Sequence, residues 1–238
     1  MSIVGMQNEA PREAWLKKTL AQIPAGSRLL DAGAGEQRHK PYCPHLTYVA
    51  QDFAQYDGKG DAVGLQTGAW DQTKLDIIGD IASVPEPDGA FDAILCVEVF
   101  EHIPHPVEAL KEFSRLLKPG GQLILTAPFC SMTHFAPYHF YSGFSRYFYE
   151  HYLPLYGFEI LDIEFNGSYF EYLAQEIRRL PEMGTRYAGR RSRSPQSVAL
   201  RLASGIVLRA LQAFADADKG SAELLYYGAH IRAVKKAE

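Results

Sequence analysis

Asp31 closes the apolar run Leu29–Leu30, and Gly33 and Gly35 follow it, one residue apart, before the chain turns polar. Glycines placed directly after a buried strand let something come close to the backbone. A strand, a glycine turn and a helix start leave N–H groups at the strand's carboxyl end, the edge where open α/β sheets bind ligands. A dinucleotide fingerprint needs Gly or Ala at its third position, and here Arg38 stands there, too large for close helix–strand packing. No Gly-Lys-Ser/Thr follows, which removes a Walker-type phosphate loop. The loop therefore reads as the seat of a ligand without a pyrophosphate. A second group of chemically capable side chains lies between Pro128 and Phe158: His134, His139, His151, Tyr138 and Tyr141, interleaved with Phe135, Phe140, Phe144 and Phe148. Aromatic walls with a few polar tips suit a small organic molecule. His134 and His139 are the candidate general bases, because an imidazole near neutral pH takes a proton easily. A packed, hydrogen-bonded histidine is the competing reading of each. His39, Cys43 and His45 have no fourth ligand at a usual spacing and sit among Pro41 and Pro44, so no metal is assigned.

The elements that position these residues follow from periodicity. Strand-length apolar runs fall at Arg28–Asp31, Thr47–Asp52, Leu75–Gly79, Phe91–Val97, Gly121–Ala127, Phe158–Phe165 and Tyr226–Val234. Helical patterns alternate with them, which argues for an α/β fold with a mostly parallel sheet. The clearest helix carries Val107, Leu110, Phe113 and Leu117 on one side, with Pro106 in its first turn and Lys118-Pro-Gly-Gly as its stop. Others are expected at about Pro11 to Gln22 and Ser145 to Leu155. After the sixth strand the alternation breaks. Two helical segments between about residues 169 and 223 read as an excursion, too poor in apolar residues at its centre for a core of its own. The chain, 1–238, thus reads as a single domain.

These motifs together resemble the class I S-adenosylmethionine-dependent methyltransferases, the type 11-like group with a Leu-Asp-x-Gly-x-Gly loop. "YVAQDF" is similar to the family's second strand, and "GDIASVPEPDGAFDAILCVEVFEHI" to its third motif and fourth strand. "LLKPGGQLILTAP" and "YGFEILDI" are similar to its fifth and sixth strands. The resemblance implies a Rossmann-like seven-stranded sheet in the order 3-2-1-4-5-7-6, with helices on both faces, and S-adenosyl-L-methionine as cofactor. It implies that Asp31 orients the methionine amino group beside Gly33 and Gly35, and that Asp52 accepts both ribose hydroxyls. Asp80 would take the adenine amine and the Ile81 N–H a ring nitrogen, while Cys96 and Val97 offer backbone carbonyls near the methionine end. Glu101 either lines the cofactor pocket or caps a turn, and His102 reads as a helix-start feature. No Asn/Asp-Pro-Pro-Tyr follows the fourth strand, which argues against methylation of a nucleobase amine. The implied reaction is methyl transfer to an oxygen or nitrogen of a small or medium organic acceptor.

Composition sets the outer bounds. Apolar residues make up 47% and charged residues 22%, with a formal charge of −4, so no general nucleic-acid-binding surface is indicated. Three scattered cysteines make no disulfide framework, and no signal-type segment or run of about 18 uninterrupted apolar residues is found. A cytoplasmic protein is expected. One asymmetry stands out: from Arg178 to Arg209 there are eight arginines and a single acid, Glu182. The segment reads as a solvated loop with a helix packed on the domain or on a second copy in a homo-oligomer. Competing readings are a clamp for a glycan- or lipid-linked acceptor and a peripheral membrane contact. The competing functions are an RNA methyltransferase using this segment, and a catalytically silent S-adenosylmethionine-binding scaffold.

Overall fold

A computed structural model describes residues 3–189 and 194–237. Its strands are β1 (Arg28–Ala32), β2 (Thr47–Asp52), β3 (Ile77–Ile78), β4 (Phe91–Val97), β5 (Leu117–Pro128), β6 (Phe158–Asn166) and β7 (Gly228–Lys235). They form one sheet in the order β3-β2-β1-β4-β5-β7-β6, as the resemblance implies. β1 pairs in parallel with β2 and β4, and β7 runs antiparallel to β5. The helices are α1 (Glu9–Leu20), α2 (Pro106–Leu116), α3 (Arg146–Leu155), α4 (Tyr169–Tyr187) and α5 (Pro195–Asp216).

Several boundaries differ from expectation, and those of β5 and β3 have a plain physical reason. β5 begins at Leu117, not Gly121, because Leu117 pairs with Phe91 and the Lys118-Pro-Gly-Gly stretch is absorbed as an irregularity in the ladder. β3 shrinks to two residues, since Ile77 and Ile78 pair with Gln51 and Asp52 at an open edge.

Residue contacts group the chain into two compact units. One comprises Ala14–Glu164 and Gly228–Glu238 and holds the parallel strands. Its core gathers Trp15, Leu16 and Leu20 of α1 against Leu29, Leu95 and Ile124 of the sheet. The Trp15 indole donates to Glu164 Oε1 at 3.0 Å. The other comprises Met1–Glu13 and Phe165–Tyr227, the part read as an excursion. Its small core of Val4, Ala174 and Leu211 exists because the N-terminal segment contributes Val4. Gln212 Oε1 accepts from the N–H groups of Ile3 and Val4, each at 3.0 Å. Ser168 caps α4 by accepting from the Glu171 N–H.

Arg178 donates to the Val4 carbonyl at 2.7 Å, and Arg179 pairs with Glu176. Arg190, Arg191 and Arg193 lie outside the described residues. By length and composition α5 is apolar enough to cross a membrane, a feature hidden from a search for uninterrupted runs by Arg201 and Arg209. Among the described residues of α5 Leu211 alone is buried, and Leu202 and Ile206 are 68% and 69% exposed.

Candidate active site

The order β2-β1-β4 places a topological switch at β1, and a cavity of about 360 Å3 opens at the carboxyl ends of these strands. Each strand contributes what lies just past its end: Gly33 after β1, Asp52 and Phe53 at β2, Gly79, Asp80 and Ile81 after β3, Glu98 and Val99 after β4. Two long loops complete the wall, with Tyr56, Trp70 and Gln72 from one and Phe135, Tyr138 and Phe140 from the other. These loops are laced together. The Leu65 N–H donates to the Thr133 carbonyl and the Phe135 N–H to the Leu65 carbonyl, both at 3.0 Å. Tyr56, Trp70 and Phe135 form an aromatic triad with ring centroids 4.7 to 5.1 Å apart.

The glycine loop does its work by close approach and not through free N–H groups. Gly33 and Ala34 both donate to the Gln51 carbonyl, at 2.9 and 2.8 Å, and Gly35 donates to Asp52 Oδ2 at 2.9 Å. The expectation of unengaged donors is corrected here, because β2 runs alongside and takes them. The indole of Trp70 lies over Gly35, where a Cβ would stand 2.6 Å from its ring. Asp52 also accepts from the Ala54 N–H at 2.9 Å through Oδ1. That bonding holds its carboxylate in one orientation facing the cavity. Asp80 is exposed and fixed by the Ala82 N–H at 2.9 Å, with buried Ile81 beside it.

Gly33, Asp52, Asp80 and Ile81 thus come together in one cavity. Asp31, Gly35, Cys96 and Val97 stand behind the lining among the described residues. Asp31 is 2% exposed and accepts from the Tyr48 hydroxyl. Burial, with the charge of Asp52, raises its carboxyl to about 7 in spite of that bond. Cys96 is wholly buried, and burial pushes its thiol well up. The wall after β4 is formed two residues further on, by Glu98 and Val99. Tyr42 packs with Leu46 and Tyr48 against the core.

The two base candidates do not line the cavity among the described residues; His102 does. His134 and His139 stand behind it, with ring centroids 4.6 and 5.9 Å from that of His102. His102, read from sequence as a helix-start feature, sits on the 3-10 turn Phe100–His102 and stacks on Phe135 at 4.9 Å. Its imidazole is held down at about 3 by burial and by His134. Trp70 and Tyr56 were missed because they lie in a long polar loop without periodicity. A large aromatic stranded in such a loop is the one signal that could have marked them.

A methyltransferase domain family matches residues 6–163. The chain belongs to this family. It is a class I S-adenosylmethionine-dependent methyltransferase by family and by sheet order. Among curated relatives, the ubiquinone biosynthesis O-methyltransferase of Xanthomonas oryzae pv. oryzae is 34% identical over 105 residues, 43% of each chain. The match therefore spans less than half the length of the curated relatives. Among solved structures, the [4+2]-cyclase SpnF superposes with a TM-score of 0.58 at 20% identity, over 98% of this chain and 84% of that one. A phosphoethanolamine N-methyltransferase from Haemonchus contortus, in complex with S-adenosyl-L-methionine, gives 0.54 at 15% identity, over 96% and 53%. These likenesses establish the methyltransferase fold, and the presence of a cyclase among them shows that the fold alone does not dictate the reaction.

Proposed function

We propose that the chain binds S-adenosylmethionine in this cavity and transfers its methyl group to an oxygen or nitrogen of a small or medium organic acceptor. The observation that carries the reading is the placement of Asp52 and Asp80 on one cavity wall, at successive strand ends, beside Gly33. A sulfonium cofactor with an amino acid end, a ribose and an adenine calls for carboxylate acceptors where a phosphate site would call for cations. Asp52 is assigned to the ribose hydroxyls, and Asp80 with the Ile81 N–H to the adenine. Asp31, Gly35, Cys96 and Val97 support the methionine end from behind the lining. The two compact units are taken as one methyltransferase domain with a helical excursion.

Methyl transfer is an in-line displacement at carbon: the acceptor's lone pair forms the new bond while the carbon–sulfur pair returns to sulfur, leaving a thioether. The chain's task is alignment, and for a hydroxyl acceptor the loss of a proton. Proton removal is assigned to His134 and His139, which stand next to His102 at the cavity wall. The similarity to O-methyltransferases favours oxygen as the methylated atom. A small acceptor is favoured over RNA because Arg178 and Arg179 already serve contacts within the chain.

Calorimetry with S-adenosylhomocysteine tests the reading. Wild type is expected to bind, and Asp52→Ala and Asp80→Ala each to lose about 1–3 kcal/mol, the range for hydrogen bonds to a charged group. Binding that both substitutions leave unchanged would overturn the assignment.

A further inference from the structure

We propose that Glu101, His102, His134 and His139 form a binding site for a divalent transition ion of the Zn2+ type, set in the wall of the cavity. The ligand-capable atoms of the three histidines lie within 4.8 Å of one another. Glu101 Oε1 stands 3.7 Å from His102 Nε2 and 3.8 Å from His134 Nε2, and Glu101 is only 1% exposed. The tautomers point the same way. His102 donates Nδ1–H to the Tyr138 carbonyl at 2.6 Å, and His134 donates Nδ1–H to the Met132 carbonyl at 2.8 Å. A carbonyl can only accept, so each ring turns the lone pair of its Nε2 towards the carboxylate. An imidazole whose second nitrogen donates to a backbone carbonyl is the usual arrangement of a metal-ligating histidine. His102 Nε2 and His139 Nδ1 are both buried without a hydrogen-bond partner.

Lone pairs converging on a carboxylate oxygen call for a cation between them. A tetrahedral ion with bonds of about 2.0 Å wants its ligand atoms roughly 3.3 Å apart. Here the histidine ligand atoms lie within 4.8 Å of one another, so a bound ion would draw them closer together. The donor set, three nitrogens and one carboxylate, favours Zn2+, Co2+ or Fe2+ over Mg2+, which prefers oxygen.

The fold holds the four residues in place by backbone contacts. Glu101 and His102 share the turn after β4, and the Glu101 carbonyl accepts from the Phe140 N–H at 2.8 Å, beside His139. His134 bridges to Leu65. Histidines separated by 32 residues in the chain, between 102 and 134, carry no spacing signal, so the sequence reading assigned no metal. The site itself stands apart from the cofactor reading. Only its use rests on it: since His102 lines the cavity, the ion would be next to an acceptor oxygen and would favour its deprotonated form.

The test is titration of the chelator-stripped full chain with Co2+, read by its visible absorption, followed by displacement with Zn2+ and a parallel Mg2+ arm. One equivalent of Co2+, displaced by Zn2+ and not by Mg2+, is expected. His102→Ala and His139→Ala should each weaken binding tenfold or more, and Glu101→Gln, which keeps the shape, should weaken it too. Circular dichroism of each variant checks its fold. No Co2+ or Zn2+ uptake at millimolar ion, or uptake unchanged in the folded variants, overturns the proposal. S-adenosylhomocysteine binding by the stripped wild type is measured alongside. If it persists while the ion fails to bind, only the metal site is lost; if it is absent while the ion binds, only the cofactor reading is lost.

Discussion

Gly33 is the residue on which the cavity's shape turns. Its φ is +81°, and a Cβ there would stand 2.5 Å from Val99 Cγ2. Both costs are local and separable. Gly33→Ala is expected to destabilise the chain by about 1–3 kcal/mol in urea denaturation, from left-handed strain and overpacking together. Adding Val99→Ala removes the second cost and leaves the first, so the double variant should recover part of the loss. Full recovery would mean that the backbone at Gly33 is unstrained. This position was legible in the sequence, because a glycine directly after an apolar run marks a backbone turn or a close approach. The role of Val99 was not, since its contact joins two loops 66 residues apart.

At the scale of elements, the two loops over the strand ends depend on Phe135. It stacks on Tyr56 at 4.7 Å and on His102 at 4.9 Å, and meets Trp70 edge-on at 5.1 Å. Aromatic pairs contribute about 0.5–1.5 kcal/mol each beyond area burial. Phe135→Ala is therefore expected to weaken S-adenosylhomocysteine binding by roughly tenfold in calorimetry while leaving far-ultraviolet circular dichroism unchanged. An affinity equal to wild type would show that the loops are held by their backbone ladder alone. The helices and most strands were legible from sequence, because burial imprints a period on α2 and unbroken apolar runs on β1 and β4. These loops were not. Residues 53–76 have no period, and their order comes from contacts with a segment some 70 positions away. The histidines show the same limit: their residue types were legible, but the ranking that put His134 and His139 ahead of His102 needed the cavity itself.

For the molecule as a whole, Asp31 links the site's neighbourhood to stability. Burial raises its carboxyl to about 7, whereas an aspartate in the unfolded chain titrates near 3.9. Between those values the folded chain holds a proton that the unfolded chain has released, so stability is full below the lower value and falls as pH rises towards 7. Urea denaturation at pH 5 and pH 8 should show this loss in wild type and a smaller one in Asp31→Asn. An equal slope in both would place the effect elsewhere. The sheet order itself was readable only through the family resemblance, since seven apolar runs alone permit many orders.

One feature of that order bears on how the chain acquires its structure in time. β6 occupies the sheet edge and its neighbour is β7, which follows α4 and α5 in the chain. Until Gly228–Lys235 slots in beside β5, β6 has no strand to pair with and the flank of β5 stays open. In the sheet β7 lies between β5 and β6, two strands that precede it in the chain, a long-range arrangement of the kind that slows folding. A chain whose β7 has not docked presents the flanks of β5 and β6 as unpaired edges, the kind of surface that invites other chains.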